Sequence, residues 1–181
     1  MGRDHAGMGN AGAAAYLISA AEGAALHLDR LRHRAGDFDP AVRDRLIAGA
    51  IERAARARCR SISGEMHSGF VALRSSLPMN LRARHPGFRV FNGAQGDIDR
   101  ILTIVSECLS RHGGPYLFGT EPCLADAMYA PVCTRFRAYH VALPPECAAY
   151  RDMILAWTLM REWEDAAAAE PDEIEELDME F

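Results

Sequence analysis

The chain has 181 residues, of which 49% are hydrophobic and 25% charged, as is usual for a folded globular protein of one domain with a substantial core. The formal net charge is −5, and all 20 basic residues are arginine. No apolar run approaches the roughly 20 residues that span a bilayer, and no secretory signal opens the chain, so we expect neither a membrane protein nor a secreted one.

The first half of the chain predicts helices. Apolar residues recur at helical spacing from Ala11 to about Arg34, and we assign residues 1–38 to a mostly helical N-terminal extension. Asp39 and Pro40 then supply the N-cap and first position of a long helix that Pro78 stops near Leu77. We expect its first apolar stripe to consist of Val42, Leu46, Ile47, Ala50 and Ile51. An alternative is that residues 1–50 arise from a misplaced start in the gene.

The segment "SISGEMHSGFVALRSSLPMN", residues 61–80, lies within that long helix although it contains Gly64 and Gly69. Each interior glycine costs a helix about 1 kcal/mol relative to alanine. The sequence therefore predicts that something packs close to the backbone here, and that the helix bends at Gly64 or Gly69.

The second half predicts three further helices. Asp97 is expected to cap the next helix, and a following helix runs from about Leu124 to Tyr139 with Leu124, Met128, Val132 and Phe136 on one stripe. The last begins near Glu146 and continues through Trp157 and Met160. No segment alternates convincingly with period two, so we predict an all-α helical bundle. The main domain is expected to span residues 39–170, followed by an acidic tail at 171–181.

Five cysteines lie far apart along the chain, with no C-x-x-C pair: Cys59, Cys108, Cys123, Cys133 and Cys147. This wide spacing predicts free thiols in a reducing cytoplasm. Zinc sites need ligands at short spacings, so we expect no metal.

The charges are unevenly distributed. Residues 53–60, "RAARARCR", are strongly basic, whereas residues 162–181 are strongly acidic. A nucleic-acid surface is one interpretation, and a solvated helix face that pairs with the acidic tail is the other. The second is favoured, because no aromatic residues interleave with the arginines for base stacking and the whole chain is acidic.

Two motifs resemble those of a known family. The stretch "GGPYLFGTEPCLADAMYAPVCTRFRAYHVAL" (113–143) is similar to the C-terminal helical domain of bacterial glutathione S-transferases, in which an N-cap residue and an Asp open the core helix. "EMHSGFVALRSSLPMNLRAR" (65–84) resembles the fourth helix of a proteobacterial subgroup. The resemblance covers roughly residues 54–177.

The cap in this motif has a physical role that does not depend on the family. Cys123 occupies the N-cap position and Asp126 lies three residues on, where a carboxylate accepts backbone amides and complements the helix dipole. The family has Ser or Thr at the N-cap, and a thiol is a weaker acceptor. We therefore interpret Cys123 and Asp126 as a structural helix cap and assign no catalytic residue.

The resemblance implies conjugation of a glutathione thiolate to a small apolar electrophile. The family binds glutathione on a thioredoxin-like domain, whose cis-proline and Ser, Tyr or Cys activator are not evident in the first 53 residues. Glutathione is therefore expected by resemblance only, and this chain would supply the electrophile side. The resemblance also implies a homodimer.

The resemblance places Met66, His67 and Phe70 at the mouth of the electrophile pocket, with Tyr129 donating into it. Each residue has a plainer interpretation. Met66 and Phe70, four apart, suit an ordinary core contact. His67 suits a hydrogen bond within the bundle or at a subunit contact, and Tyr129 suits packing.

A second functional hypothesis is non-catalytic. An all-α module that keeps the bundle without the glutathione-binding domain would serve dimerisation or the docking of a partner. Complementary contacts between the basic helix and the acidic tail of different chains would suit such a role.

Overall fold

The structure is a computed structural model that describes residue 20 and residues 22–171. Residues 22–26 are helical, and a short 3-10 helix lies at Ala35–Asp37. The other helices are α1 (Leu28–His33), α2 (Pro40–Ser68), α3 (Val71–Ser76), α4 (Asn92–His112), α5 (Leu124–Ala138), α6 (Pro145–Ala156) and α7 (Thr158–Ala169). The described residues contain no strand, only an isolated bridge between Tyr116 and Gly119. The all-α prediction is confirmed. Predicted helical residues 11–19 and most of the acidic tail lie outside the described part.

The chain divides into two compact units, residues 1–58 and 59–181. In the first unit, Gly23 lies against α2, and a Cβ atom at this position would come within 2.7 Å of the Leu46 Cδ2 atom. Leu46 is buried, but Val42, Ile47 and Ile51 are exposed. The predicted apolar stripe was therefore too wide, because the buried face of this helix follows Leu46 and leaves the neighbouring β-branched residues in solvent.

The second unit contains the main core, to which α3, α4, α5 and α6 contribute. Its innermost branched aliphatic side chains, each at most 1% exposed, are Ile62, Leu73, Leu77, Ile98, Ile101, Ile104, Leu117, Val132 and Ile154. Burying such side chains provides about 1.5–3 kcal/mol each in transfer free energy, so this cluster dominates the stability of the unit.

Three boundaries differ from the sequence predictions. The long helix does not continue to Leu77 but ends at Ser68, and α3 follows after Gly69 and Phe70. Helix α4 begins at Asn92, five residues before Asp97. The last predicted helix is two helices, because Trp157 adopts an extended conformation with ψ of 135°.

The predicted face of α5 needs one correction. Leu124 is exposed, whereas Ala125 and Tyr129, one position further along each turn, are buried. The buried face thus keeps Val132 and Phe136 of the predicted stripe and includes Ala125 and Tyr129. None of the helices in the described part of the chain is both long and apolar enough to cross a membrane.

Candidate functional site

The break between α2 and α3 has a strained backbone. Phe70 has φ of 56° and ψ of 40°, a left-handed conformation that is a genuine outlier for a bulky residue. Such strain costs about 1–3 kcal/mol and persists only when the surrounding structure imposes it. Gly69 precedes it, and a Cβ atom there would lie 2.6 Å from the carbonyl oxygen of Glu65. A glycine is therefore required at position 69.

Gly64 does not share this requirement. A Cβ atom at position 64 would meet nothing within 4 Å. Close packing at both glycines was the expectation, and it is wrong for Gly64. At Gly69 the crowding atom, the Glu65 carbonyl oxygen, belongs to the last turn of α2, directly before the break.

Side chains from outside the break satisfy the backbone groups that it exposes. The Arg74 guanidinium donates to the carbonyl oxygens of Met66 and, at 2.8 Å, of His67, in the last turn of α2. The Leu73 amide in the first turn of α3 donates to Asp97 Oδ2 at 2.9 Å. Helix termini leave such groups without intrahelical partners, so Arg74 and Asp97 stabilise the interruption itself.

An ion pair joins the end of α2 to α4. The Arg100 Nε and Nη2 atoms donate to the two carboxylate oxygens of Glu65 at 2.7 and 3.0 Å. This bidentate geometry fixes relative orientation better than a single bond would. The hydrogen bond to Glu65 raises the pKa of Arg100, although partial exposure of both side chains limits its contribution to about 1 kcal/mol or less.

The four predicted electrophile-binding residues occupy two different environments. Met66, Phe70 and Tyr129 are buried in the core cluster, and the Tyr129 hydroxyl donates to the Ile62 carbonyl oxygen at 3.3 Å. His67 is exposed on the last turn of α2, beside the break. The structure thus brings Met66, His67 and Phe70 together at the break. Their binding of an electrophile stays a prediction, as does that of Tyr129.

Tyr129 also lines a cavity inside the bundle, between α4, α5 and α6. The cavity has a volume of about 10 Å³, and its walls include Val105, Cys133, Phe136 and Tyr150. That is about the space of one water molecule, so it is too small for an organic electrophile.

Asp126 is fully buried and accepts three hydrogen bonds. Oδ1 accepts from the Leu117 amide at 3.0 Å and from the Tyr150 hydroxyl at 3.1 Å, and Oδ2 accepts from the Cys123 amide at 2.8 Å. The Asp126 amide faces the Cys123 side chain, which completes a capping box. Asp126 therefore connects the preceding loop, the start of α5 and the side of α6.

The loop before α5 is shaped to bring the Leu117 amide to this carboxylate. Tyr116 and Gly119 exchange backbone hydrogen bonds of 3.1 and 3.3 Å. A Cβ atom at Gly114 would lie 1.7 Å from the Gly119 carbonyl oxygen, so only glycine fits at position 114. The turn is consequently fixed by its own backbone contacts.

Three of the thiols are held in the neutral form. Burial raises the pKa of Cys123 and of Cys133 to about 12 each, with the neighbouring Asp126 adding to the effect at Cys123. Burial also raises the pKa of Cys147, whose sulfur lies 3.4 Å from the Ser106 hydroxyl. Because the thiolate is the nucleophile, these cysteines are poor candidates for covalent catalysis. No group of three or more His, Cys, Asp or Glu side chains in the described residues is placed to hold a metal ion.

Comparison with known families identifies the fold. The family model described as "Glutathione S-transferase, C-terminal domain" matches residues 20–166. The chain belongs to this family. The resemblance drawn from the 65–84 and 113–143 motifs is thereby confirmed.

A short segment of this glutathione S-transferase C-terminal domain protein is similar to a different curated protein. It is 52% identical over 40 residues to the 1-carboxybiuret hydrolase subunit AtzE of Pseudomonas sp. (strain ADP). The match covers 22% of this chain and 9% of that protein's length. No solved structure is significantly similar to the chain.

Sequence reasoning missed the residues that support the break in this transferase-like domain. Arg74, Asp97 and Arg100 act across 8, 24 and 35 residues respectively. The sequence predicts Asp97 as the cap of α4, because an Asp before an apolar helical pattern is the usual N-cap signal. The one usable signal was Gly69, since a glycine followed by a second helical pattern is typical of a helix end.

Proposed function

We propose that the protein serves in glutathione transfer, with this chain supplying the helical domain that binds a small apolar electrophile for conjugation to the glutathione thiolate. The observation that carries the proposal is the strained Phe70, which lies at the break between α2 and α3 within the family match. Strained residues cluster at functional sites, and the observed outlier is the proper starting point for such an inference.

The electrophile would lie over the break. His67 is exposed there and Val71 is 70% exposed, so together they offer a polar and an apolar contact to solvent. Met66 and Phe70 are buried beneath the same turn and form its apolar support. Tyr129 lies deeper in the core, where its hydroxyl donates to the Ile62 carbonyl oxygen of α2. We therefore assign Tyr129 the role of positioning α2 beneath the site.

Glutathione itself does not fit the described residues. The family binds it beside a cis-proline on a thioredoxin-like sheet, whereas residues 20 and 22–171 contain neither a cis peptide bond nor a strand. The raised pKa of Cys123, Cys133 and Cys147 also gives them no thiolate character. We therefore assign no glutathione contact to these residues and derive no catalytic step from them.

The test is the dissociation constant of a dinitrobenzene without a leaving group, measured by calorimetry with the full chain. The proposal predicts saturable binding that weakens about tenfold when His67→Ala removes the exposed polar contact, a loss of about 1.4 kcal/mol. The matched control is His33→Ala, which removes an exposed histidine from α1. An absence of binding, or equal affinities for both variants, would contradict the proposal.

A second candidate is the non-catalytic interaction module, in which the chain forms a homodimer. The observation in its favour is the exposure of large apolar side chains in the first unit, with Leu26 at 82% and Ile51 at 64%. Large apolar side chains left in solvent are groups that a contact between subunits would cover. Light scattering after size exclusion would test it: Ile51→Glu should dissociate a dimer, whereas Val71→Glu on α3 should not. A wild-type monomer would contradict this candidate.

A further inference from the structure

The connection between α3 and α4 encloses a surface hollow that none of the functions above uses. The hollow has a volume of about 610 Å³ and is lined by residues 84–89 and by Phe91. Sites for small molecules usually have volumes of about 300–1,000 Å³, so its size suits a small organic ligand.

The wall of the hollow is anchored to α5. The His85 amide donates to the Ala138 carbonyl oxygen at 2.8 Å, and the His85 ring stacks on Tyr139 with centroids 4.8 Å apart. Phe88 meets the same Tyr139 ring edge-on at 4.9 Å. Tyr139 in turn donates its hydroxyl to the Pro78 carbonyl oxygen at 3.0 Å. These contacts hold the loop in place before any ligand arrives.

Gly87 lets the chain reverse between the two halves of the wall. Its φ of +81° lies in the region that side chains other than glycine rarely adopt. The turn places Arg84 and Arg89 on either side of it in sequence, and both are exposed. The hollow therefore has a cationic group in each half of its lining.

The charges around the hollow are unbalanced. None of its lining residues is acidic. Among the described residues, Arg89 has no hydrogen-bond or ion-pair partner. The Arg84 Nη1 atom donates to the Leu81 and Ala83 carbonyl oxygens, which leaves its other nitrogens available. Glu164 lies close enough to act on Arg84, but its carboxylate pairs with Arg137. Arg84 and Arg89 thus give the lining two positive charges and no negative one.

The aromatic part of the lining is also open. Phe91 is 64% exposed, and its ring meets Phe88 at 6.3 Å with an interplanar angle of 79°. Two rings set nearly at right angles form a corner in which a planar ring can stack on one and meet the edge of the other. A site that contains both an exposed aromatic ring and arginine suits planar anions. The guanidinium group donates hydrogen bonds to the anionic oxygens, and the aromatic ring stacks on the apolar part of the ligand.

We propose that this hollow binds a small organic anion in which an aromatic ring carries a phosphate or carboxylate group. Arg84 and Arg89 would contact the acid, and Phe88 and Phe91 would contact the ring. The site shares no residue with the proposed electrophile site at the α2–α3 break, so the two proposals stand independently.

The experiment is a calorimetric titration of the full chain with phenyl phosphate, accompanied by amide chemical shifts. The proposal predicts saturable binding, with shifts concentrated at residues 84–91. Arg89→Gln should weaken the affinity about tenfold, because it removes a charge-assisted hydrogen bond. Phe91→Ala should weaken it severalfold through loss of stacking. Matched controls on α7, Arg161→Gln and Leu159→Ala, should leave the affinity unchanged.

Three further ligands test separately the contact of the arginines with the acid group and the contact of the phenylalanines with the ring. Benzoate should bind at the same residues if a carboxylate suffices, whereas inorganic phosphate and benzyl alcohol should each bind more weakly than phenyl phosphate. An affinity for inorganic phosphate equal to that for phenyl phosphate would overturn the role of the ring. The whole proposal would fail if phenyl phosphate did not saturate, or if Arg89→Gln and Phe91→Ala left its affinity unchanged.

Discussion

The Tyr150 hydroxyl donates a hydrogen bond of 3.1 Å to the Asp126 carboxylate, and both groups are buried. This bond joins the middle of α6 to the first turn of α5. The Leu117 and Cys123 amides bind the same carboxylate, so a buried charge is compensated by three donors. Each donor comes from a different part of the second unit, which makes Asp126 the residue on which their arrangement depends.

Asp126→Ala should lower the free energy of unfolding by at least about 3 kcal/mol, because it leaves the buried Leu117 amide, the partly buried Cys123 amide and the buried Tyr150 hydroxyl without an acceptor, and each costs about 1–3 kcal/mol. Urea unfolding monitored by circular dichroism measures the change. Asp152→Ala, which removes a largely exposed carboxylate from α6, should change stability by less than about 0.5 kcal/mol. Equal effects for the two variants would show that Asp126 is not the structural cap described above.

Tyr150→Phe should cost less than Asp126→Ala, about 1 kcal/mol, because the carboxylate keeps its two amide donors and the ring keeps its packing. The same urea transitions measure it. The double variant Tyr150→Phe with Asp126→Ala should be little less stable than Asp126→Ala alone, since the hydroxyl then has no acceptor to lose. Additive effects would contradict direct coupling between the two side chains.

Alanine substitutions at the two glycines of the 61–80 segment should change the stability of the protein in opposite directions. Gly64→Ala should stabilise the protein by about 0.5–1 kcal/mol, because its position is helical and a Cβ atom meets no neighbour within 4 Å. Gly69→Ala should destabilise it by more than about 1 kcal/mol, because the Cβ atom would clash with the Glu65 carbonyl oxygen. Thermal melting of the pair checks both signs. A Gly69→Ala variant as stable as the wild type would contradict the conclusion that position 69 requires glycine.

Stability should fall as the pH rises above 9. Burial raises the pKa of Cys133 from 9.0 to about 12, so between these values the unfolded chain loses a proton that the folded chain retains. The unfolded state is then favoured by up to about 1.4 kcal/mol per pH unit for this thiol. Unfolding midpoints in urea at pH 7, 9 and 10.5, with a reductant present, measure this decline.

The Cys133→Ala variant separates this thiol from other groups that titrate in the same range. Below pH 9 this variant should be less stable than the wild type by a small amount that does not vary with pH. Above pH 9 its free energy of unfolding should decline less steeply than that of the wild type. The remaining decline is expected from Cys123 and Tyr150, whose pKa values burial also raises. An unchanged slope in Cys133→Ala would contradict the role assigned to burial of this thiol.

The sequence predicted the parts of the structure that depend on short-range patterns. Helical spacing indicated the all-α bundle, and the Cys123–Asp126 arrangement could be read because its partners are three residues apart. The same rule failed at Asp97, whose carboxylate binds the Leu73 amide 24 residues earlier. A local sequence pattern does not show whether an Asp before an apolar segment caps its own helix or binds the backbone of a neighbouring helix.

The sequence located the candidate site but did not predict its backbone conformation or its long-range contacts. Gly69 marked the segment, yet the hydrogen bonds of Arg74 and Asp97 on either side of Phe70 are ones that no spacing rule contains. The exposure of Leu124 and Ile51 has the same origin, since hydrophobic periodicity gives the width of an apolar face without showing how much of it a neighbour covers.

The most direct test of the account is to map where an apolar electrophile analogue binds on the full chain. Dinitrobenzene without a leaving group cannot react, so its amide chemical-shift changes report binding alone. We predict that they concentrate at residues 64–72, around the α2–α3 break, and that they diminish in His67→Ala. Saturable binding elsewhere, or no binding at all, would contradict the proposal that this break forms the electrophile site.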